Sequence, residues 1–169
     1  MGNKVLVAYA SKYGATAEIA ARIGLGLQQT GLEVDVLPVR SVRGLSLYKA
    51  IVLGSGVYIG QWRKEAVDLL KANERLLAER PVWLFSSGPT GKGNPLDLTK
   101  GWKFPGNLKA TVERVKPRDT ALFGGKIDPN KLSFFERFII RRVKAEVGDF
   151  RDWEAVSSWA STIGTALKD

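Results

Sequence analysis

The sequence predicts an α/β fold: an open, doubly wound parallel sheet of five strands with helices on both faces. Three observations lead there. Five short apolar runs rich in Val and Leu, at 4–10, 33–38, 50–54, 82–86 and 120–123, read as strands buried on both sides. Stretches whose apolar residues recur at helical spacing lie between them. Strands alternating with helices imply parallel pairing through right-handed crossovers that cover both faces of the sheet.

Each element has its own warrant. The first strand, 4–10, ends at Ser11 and Gly14. A helix over 16–29 follows, with Ile19, Ala20, Ile23 and Leu27 on one face and Gly31 closing it. The strand 33–38 comes next, and the link 39–49 has room for one further turn. After the strand 50–54, residues 64–77 repeat the helical pattern with Val67, Leu70 and Leu77. The strand 82–86 precedes a fourth helix at 108–115, and the strand 120–123 precedes the last. That last helix, 152–167, carries Val156, Trp159, Ala160, Ile163 and Leu167 on one stripe, with Asp152 as its N-cap. No internal repeat or low-complexity linker divides the chain, so residues 1–169 are expected to form one domain. Two connections are longer than such a fold requires: 88–107, rich in Gly and Pro, and 124–151.

Composition narrows the chemistry. The 169 residues are 44% hydrophobic and 25% charged, ordinary for one compact domain. There is no cysteine, which excludes disulfides, iron–sulfur clusters, thiolate zinc sites and cysteine nucleophiles. There is no histidine either, which excludes the Ser-His-Asp triad and imidazole metal ligation. A borrowed cofactor is therefore the expected carrier of any chemistry, and no metal site is expected. Met1-Gly2-Asn3-Lys4 runs directly into Val5-Leu6-Val7-Ala8-Tyr9, leaving no room for a signal peptide, and Leu6 stands where myristoylation wants Ser or Thr. No run approaches about 18 apolar residues. The expected compartment is the cytoplasm.

The net charge of +9 is unevenly placed. Residues 92–144 hold 13 Lys and Arg against 5 Asp and Glu, and the rest of the chain holds 13 against 12. That late region is either a surface for an anionic substrate, lipid headgroups or an acidic protein, or a solubilising face. Nothing resembles a helix-turn-helix, zinc-finger or RNP pattern, so nucleic acid is not an expected partner.

In an open parallel sheet, ligands bind beyond the carboxyl ends of the strands. After the first strand come Ser11, Lys12, Tyr13, Gly14, Ala15 and Thr16, then a helix. Small hydroxyls, a glycine and a helix N-terminus suit a phosphate; the same Ser11 and Thr16 would equally serve as plain helix caps. After the third strand come Ser55, Gly56, Val57, Tyr58 and, shortly beyond, Trp62. After the fourth come Ser86, Ser87, Gly88, Pro89 and Thr90. Both loops have glycine for close backbone approach, and Tyr58 and Trp62 offer flat faces for a ring or ordinary surface packing. The dinucleotide pattern G-x-G-x-x-G fails at Ile59 and at Leu96, and Gly91-Lys92-Gly93 lacks the Ser or Thr of a Walker A loop.

These three loops together resemble the flavodoxin-like FMN-binding domains, over essentially the whole chain. The first loop is similar to that family's T-x-T-G-x-T phosphate loop, with Ser11, Gly14 and Thr16 in key places and Tyr13 departing from it. Within the family, Tyr13-Gly14, Gly54-Ser55-Gly56-Val57-Tyr58, Phe134-Phe135-Glu136-Arg137-Phe138-Ile139-Ile140 and Asp152-Trp153 are similar to the menaquinone-dependent protoporphyrinogen oxidases and their relatives. The resemblance implies the strand order 2-1-3-4-5, FMN as cofactor and the sixteen residues of the three loops as its binding residues. It also implies an FMN-dependent oxidoreductase, protoporphyrinogen oxidase-like and tied to heme biosynthesis, with a quinone-linked acceptor. No protein side chain is then expected to be catalytic, because the flavin carries the chemistry. The alternative is a flavodoxin-type electron carrier that docks on acidic redox partners. Residues 132–144, where Phe134, Phe135, Phe138 and Ile139 interleave with Arg137, Arg141, Arg142 and Lys144, would either touch an anionic membrane at its inner face or pack on the domain.

Overall fold

The computed structural model describes residues 3–169; Met1-Gly2, part of the stretch in which no leader is expected, lies outside them. The strands are β1 (Lys4–Ala10), β2 (Val34–Pro38), β3 (Tyr48–Tyr58), β4 (Gln61–Trp62), β5 (Val82–Ser87), β6 (Asp119–Phe123), β7 (Lys126–Ile127) and β8 (Gly148–Asp149). The helices are α1 (Ala15–Gln29), α2 (Lys64–Ala72), α3 (Glu74–Ala78), α4 (Pro95–Leu98), α5 (Lys109–Val115), α6 (Phe134–Arg142) and α7 (Trp153–Ala166).

The five long strands pair in parallel in the order β2-β1-β3-β5-β6, the doubly wound order that the resemblance implies. Register runs Leu6 beside Asp35 and Ile51, and Val52 beside Trp83. Alternate side chains feed two cores. Val5, Val7, Val52 and Phe85 pack under α1 and α7, whose Ile19, Ile23, Leu27, Val156, Ala160 and Ile163 are fully buried. Leu6, Ala8, Ile51, Leu53 and Leu84 pack on the opposite face, under Leu70 of α2, Leu77 of α3 and Val115 of α5. The central strands β1, β3 and β5 are buried on both faces over most of their length, which is why they read as continuous apolar runs.

Three features depart from the sequence-based expectation. The third strand continues through Ser55–Tyr58 and turns at Ile59 (φ 49°) and Gly60 (φ 70°) into β4, forming an antiparallel hairpin. The helix expected over 64–77 breaks at Asn73, whose side-chain amide donates to the Leu69 carbonyl (2.8 Å) and so competes with the backbone. The two long connections carry structure of their own: α4 in the first, and in the second α6, bracketed by the small antiparallel ribbon β7–β8. Among the described residues, no helix is long and apolar enough to cross a membrane.

Candidate functional site

The site is built where β1, β3 and β5 end side by side. At the end of β1 the chain turns through Gly14, whose left-handed φ of 92° starts α1 and whose N–H donates to Ser11 Oγ (3.0 Å). The first N–H groups of a helix have no intrahelical acceptor, and here Ala15 and Thr16 open that end onto a cavity of about 620 Å³. Thr16 is 4% exposed. A Cβ at Gly56 would stand 3.0 Å from Thr16 Oγ1, so glycine there lets the end of β3 lie directly against this loop.

The second wall is the β3–β4 hairpin, contributing Val57, Tyr58, Ile59 and Gly60. Ser87, Gly88, Pro89 and Thr90, at the end of β5, form the third. Its backbone is fixed by Gly88 N–H to the Phe123 carbonyl (3.2 Å) and by Gly125 N–H to the Pro89 carbonyl (2.8 Å). The long connections close the remaining side with apolar groups: Leu98 and Trp102 from the first, Leu132, Ile139, Ile140 and Val143 from the second.

Charge gathers at the mouth. Lys12 Nζ lies 4.1 Å from the Tyr58 ring centroid and 5.2 Å from that of Tyr13, between two aromatic faces. Glu136 reaches across from α6: its carboxylate is 3.4 Å from Lys12 Nζ and accepts the Tyr13 hydroxyl. Arg151, with a side chain 4% exposed, braces the same corner. It donates to Asp149 through Nε (2.9 Å) and Nη2 (2.7 Å), to Glu18, and to the Ala15 carbonyl (3.3 Å). Hydrogen bonds from this guanidinium hold the Asp149 and Glu18 carboxyls below their usual range.

Of the residues expected from sequence, Ser11, Lys12, Tyr13, Ala15, Thr16, Gly56, Val57, Tyr58, Ser87, Gly88, Pro89 and Thr90 line this one cavity. Four do not. Gly14 serves as the turn. Ser55 is fully buried, donating to the Gly56 carbonyl (2.8 Å) and accepting from Arg63 N–H (2.9 Å). Trp62 corrects the expectation of a stacking face: it is 4% exposed, and its indole N–H donates to the buried Ser86 Oγ (2.8 Å). The physical reason is the hairpin, since pairing Val57 with Trp62 turns the indole into the core and Gln61 outward. Sequence reasoning missed Arg63, Lys126 and Glu136 as lining residues. Ser133-x-x-Glu136 reads as a capping box, and Ser133 Oγ does accept the Glu136 N–H (3.2 Å), but the Glu136 carboxylate turns away to Lys12 and Tyr13.

A family model described as a flavodoxin domain matches residues 6–153. The chain belongs to the flavodoxin family. A curated Escherichia coli K12 protein, "Protoporphyrinogen IX dehydrogenase [quinone]", is 22% identical over 95% of this chain and 94% of its own length. Among solved structures, an archaeal flavodoxin superposes with a TM-score of 0.63 at 15% identity, covering 98% of this chain and 99% of that one. The rubredoxin:oxygen oxidoreductase of Desulfovibrio gigas gives 0.65 at 16% identity, with this chain spanning 36% of it. These structural likenesses establish the flavodoxin fold, and the three walls described above are the strand-end loops of that fold. Among the described residues, no group of His, Cys, Asp or Glu is placed to hold a metal ion.

Proposed function

We propose that this flavodoxin-family chain is an FMN-dependent oxidoreductase acting on an anionic, porphyrinogen-like substrate with a quinone-linked acceptor. The observation that carries the reading is the composite cavity: three polar strand-end loops on one side and an apolar wall from both long connections on the other. Its donor set suits FMN. Ser11, Thr16 and the free N–H end of α1 form a dipolar seat for the phosphate, while Tyr58 and the Gly88–Thr90 backbone bracket a slot for the ring. FMN, when bound, supplies acceptance of a hydride or of single electrons. Leu98, Trp102, Ile139 and Ile140 would give an apolar ring a surface to lie on. Lys12, Lys126 and Lys144 line the same cavity and match carboxylate arms in sign. The name of the E. coli relative supports this choice of substrate and acceptor.

The helix α6 supports the reading from outside. Ile139 and Ile140 line the cavity, whereas Phe134 (90% exposed), Phe135 (69%) and Phe138 (58%) stand in solvent. Aromatic residues beside Arg137, Arg141 and Arg142 suit the anionic, cytoplasmic surface of a bilayer, where a quinone is within reach.

The deciding experiment titrates the purified chain with FMN by absorbance, then supplies protoporphyrinogen and a menaquinone analogue. The reading expects micromolar or tighter binding and substrate-dependent quinone reduction. Binding with electron exchange to a reductase, but with protoporphyrinogen untouched, identifies an electron carrier instead. No FMN uptake overturns both.

A further inference from the structure

A second cleft, of about 280 Å³, opens beside the large cavity on the β2 side of the phosphate-type loop. Two guanidinium groups, Arg40 and Arg63, line it against one carboxylate, Glu65; Lys12 lines it too, but its ammonium is turned to Glu136 and the Tyr58 ring. The pairing within it is loose. Glu65 Oε1 lies 3.8 Å from Arg40 Nη2 and 3.5 Å from Arg63 Nε, so a single oxygen is shared between two guanidinium groups. Arg63 Nε is buried and makes no hydrogen bond. A buried guanidinium N–H whose only anionic neighbour lies beyond good hydrogen-bond geometry has given up water for a weak contact, which is costly. Arg63, Lys12 and Ser11 line both cavities, forming the partition between them.

We propose that this cleft is an anion subsite, which takes a carboxylate or phosphate arm of a ligand whose body lies in the large cavity. An anionic group seated here competes with the loosely held Glu65 for the Arg63 guanidinium and places two guanidinium groups around one charge. The placement of the ligand's body rests on the redox reading of the large cavity; the subsite itself rests only on Arg40 and Arg63. It lies outside the region 92–144 where the sequence concentrates positive charge.

The test uses the full chain, ¹⁵N-labelled, with FMN added in excess so that its own phosphate occupies the Ser11–Thr16 loop. Inorganic phosphate and citrate are titrated in separate arms while the Arg63 Nε–H resonance is followed by NMR. The resonance is expected to move saturably, and Arg40→Gln, at an exposed position, is expected to weaken the apparent affinity about tenfold. Arg63→Lys keeps the charge but loses the Nε donor, and is expected to weaken it as well. Response to phosphate alone, or to citrate alone, identifies which kind of arm the subsite takes. An unmoved Arg63 resonance, shifts confined to the amides of residues 11–16, or an affinity unchanged in Arg40→Gln each overturn the proposal. If FMN fails to bind, the redox reading falls, while the Arg63 titration still decides the subsite.

Discussion

Thr16 concentrates the logic of the site in one side chain: it is almost wholly buried, lines the cavity and lies beside Gly56 with no space for a methyl group between them. Thr16→Val keeps the shape and removes the hydroxyl. Loss of one hydrogen bond to a charged group predicts FMN affinity weaker by about tenfold or more, with little change in the melting temperature of the FMN-free protein; fluorescence titration and thermal unfolding check the two parts. At this scale the placing of the loops was legible, because hydroxyl and glycine residues follow the apolar runs and the strands end side by side. Side-chain direction was not. Tyr58 and Trp62 look alike as sequence, and only the two-residue turn at Ile59-Gly60 decides that Tyr58 lines the cavity and Trp62 enters the core.

Helices α3 and α5 are tied by one exposed ion pair, in which Arg114 Nε and Nη2 both meet the Glu74 carboxylate at 2.7 Å and Thr111 Oγ1 adds a third bond at 2.8 Å. Arg114 first, then Thr111, lower the Glu74 carboxyl to a pKa of about 2. A carboxyl depressed on folding contributes stability above its unfolded value, near 4.5, and loses it as pH falls toward 2. Wild-type chain should therefore be more stable than Glu74→Gln at neutral pH and low salt, with the two converging between about pH 4.5 and 2; urea unfolding across that range measures the gap. Element boundaries in the long connections were the least legible part. The position of α6 over the cavity depends on Glu136 meeting Lys12 and Tyr13, 124 and 123 residues earlier, a contact without any local signal. The backbone behind it is tight as well. A Cβ at Gly125 would come within 2.7 Å of the Gly88 carbonyl oxygen, so Gly125→Ala should cost about 1–3 kcal/mol and weaken FMN binding by displacing the Gly88–Thr90 wall. Denaturant melts and FMN titration read the two effects.

Over the whole molecule, the parallel sheet and its two-sided core followed from the alternation of apolar runs and helical periods, while the strand order came with the family resemblance. The excess of charge in 92–144 was equally plain from composition. What composition could not provide was its partition between the outer face of α6 and the cavity mouth, nor the separate pair of guanidinium groups at Arg40 and Arg63. If α6 meets a bilayer as proposed, the chain should sediment with vesicles containing phosphatidylglycerol, and replacing Arg137, Arg141 and Arg142 with Glu should weaken that binding by more than about tenfold. Binding that survives the triple variant would remove the membrane from the account.

The packing of α7 against α1, close enough that a Cβ at Gly26 would meet Ala160 at 2.8 Å, joins the two ends of the chain across one face of the sheet. A ribosome delivers these helices in order, α1 early and α7 late. Until α7 is made, Val52, Trp83 and Phe85 have a helix over only part of their face, and a nascent chain paused there presents a dry, strand-lined surface to its neighbours. Removing α7 should therefore leave that face open and the truncated chain prone to self-association, which light scattering would read.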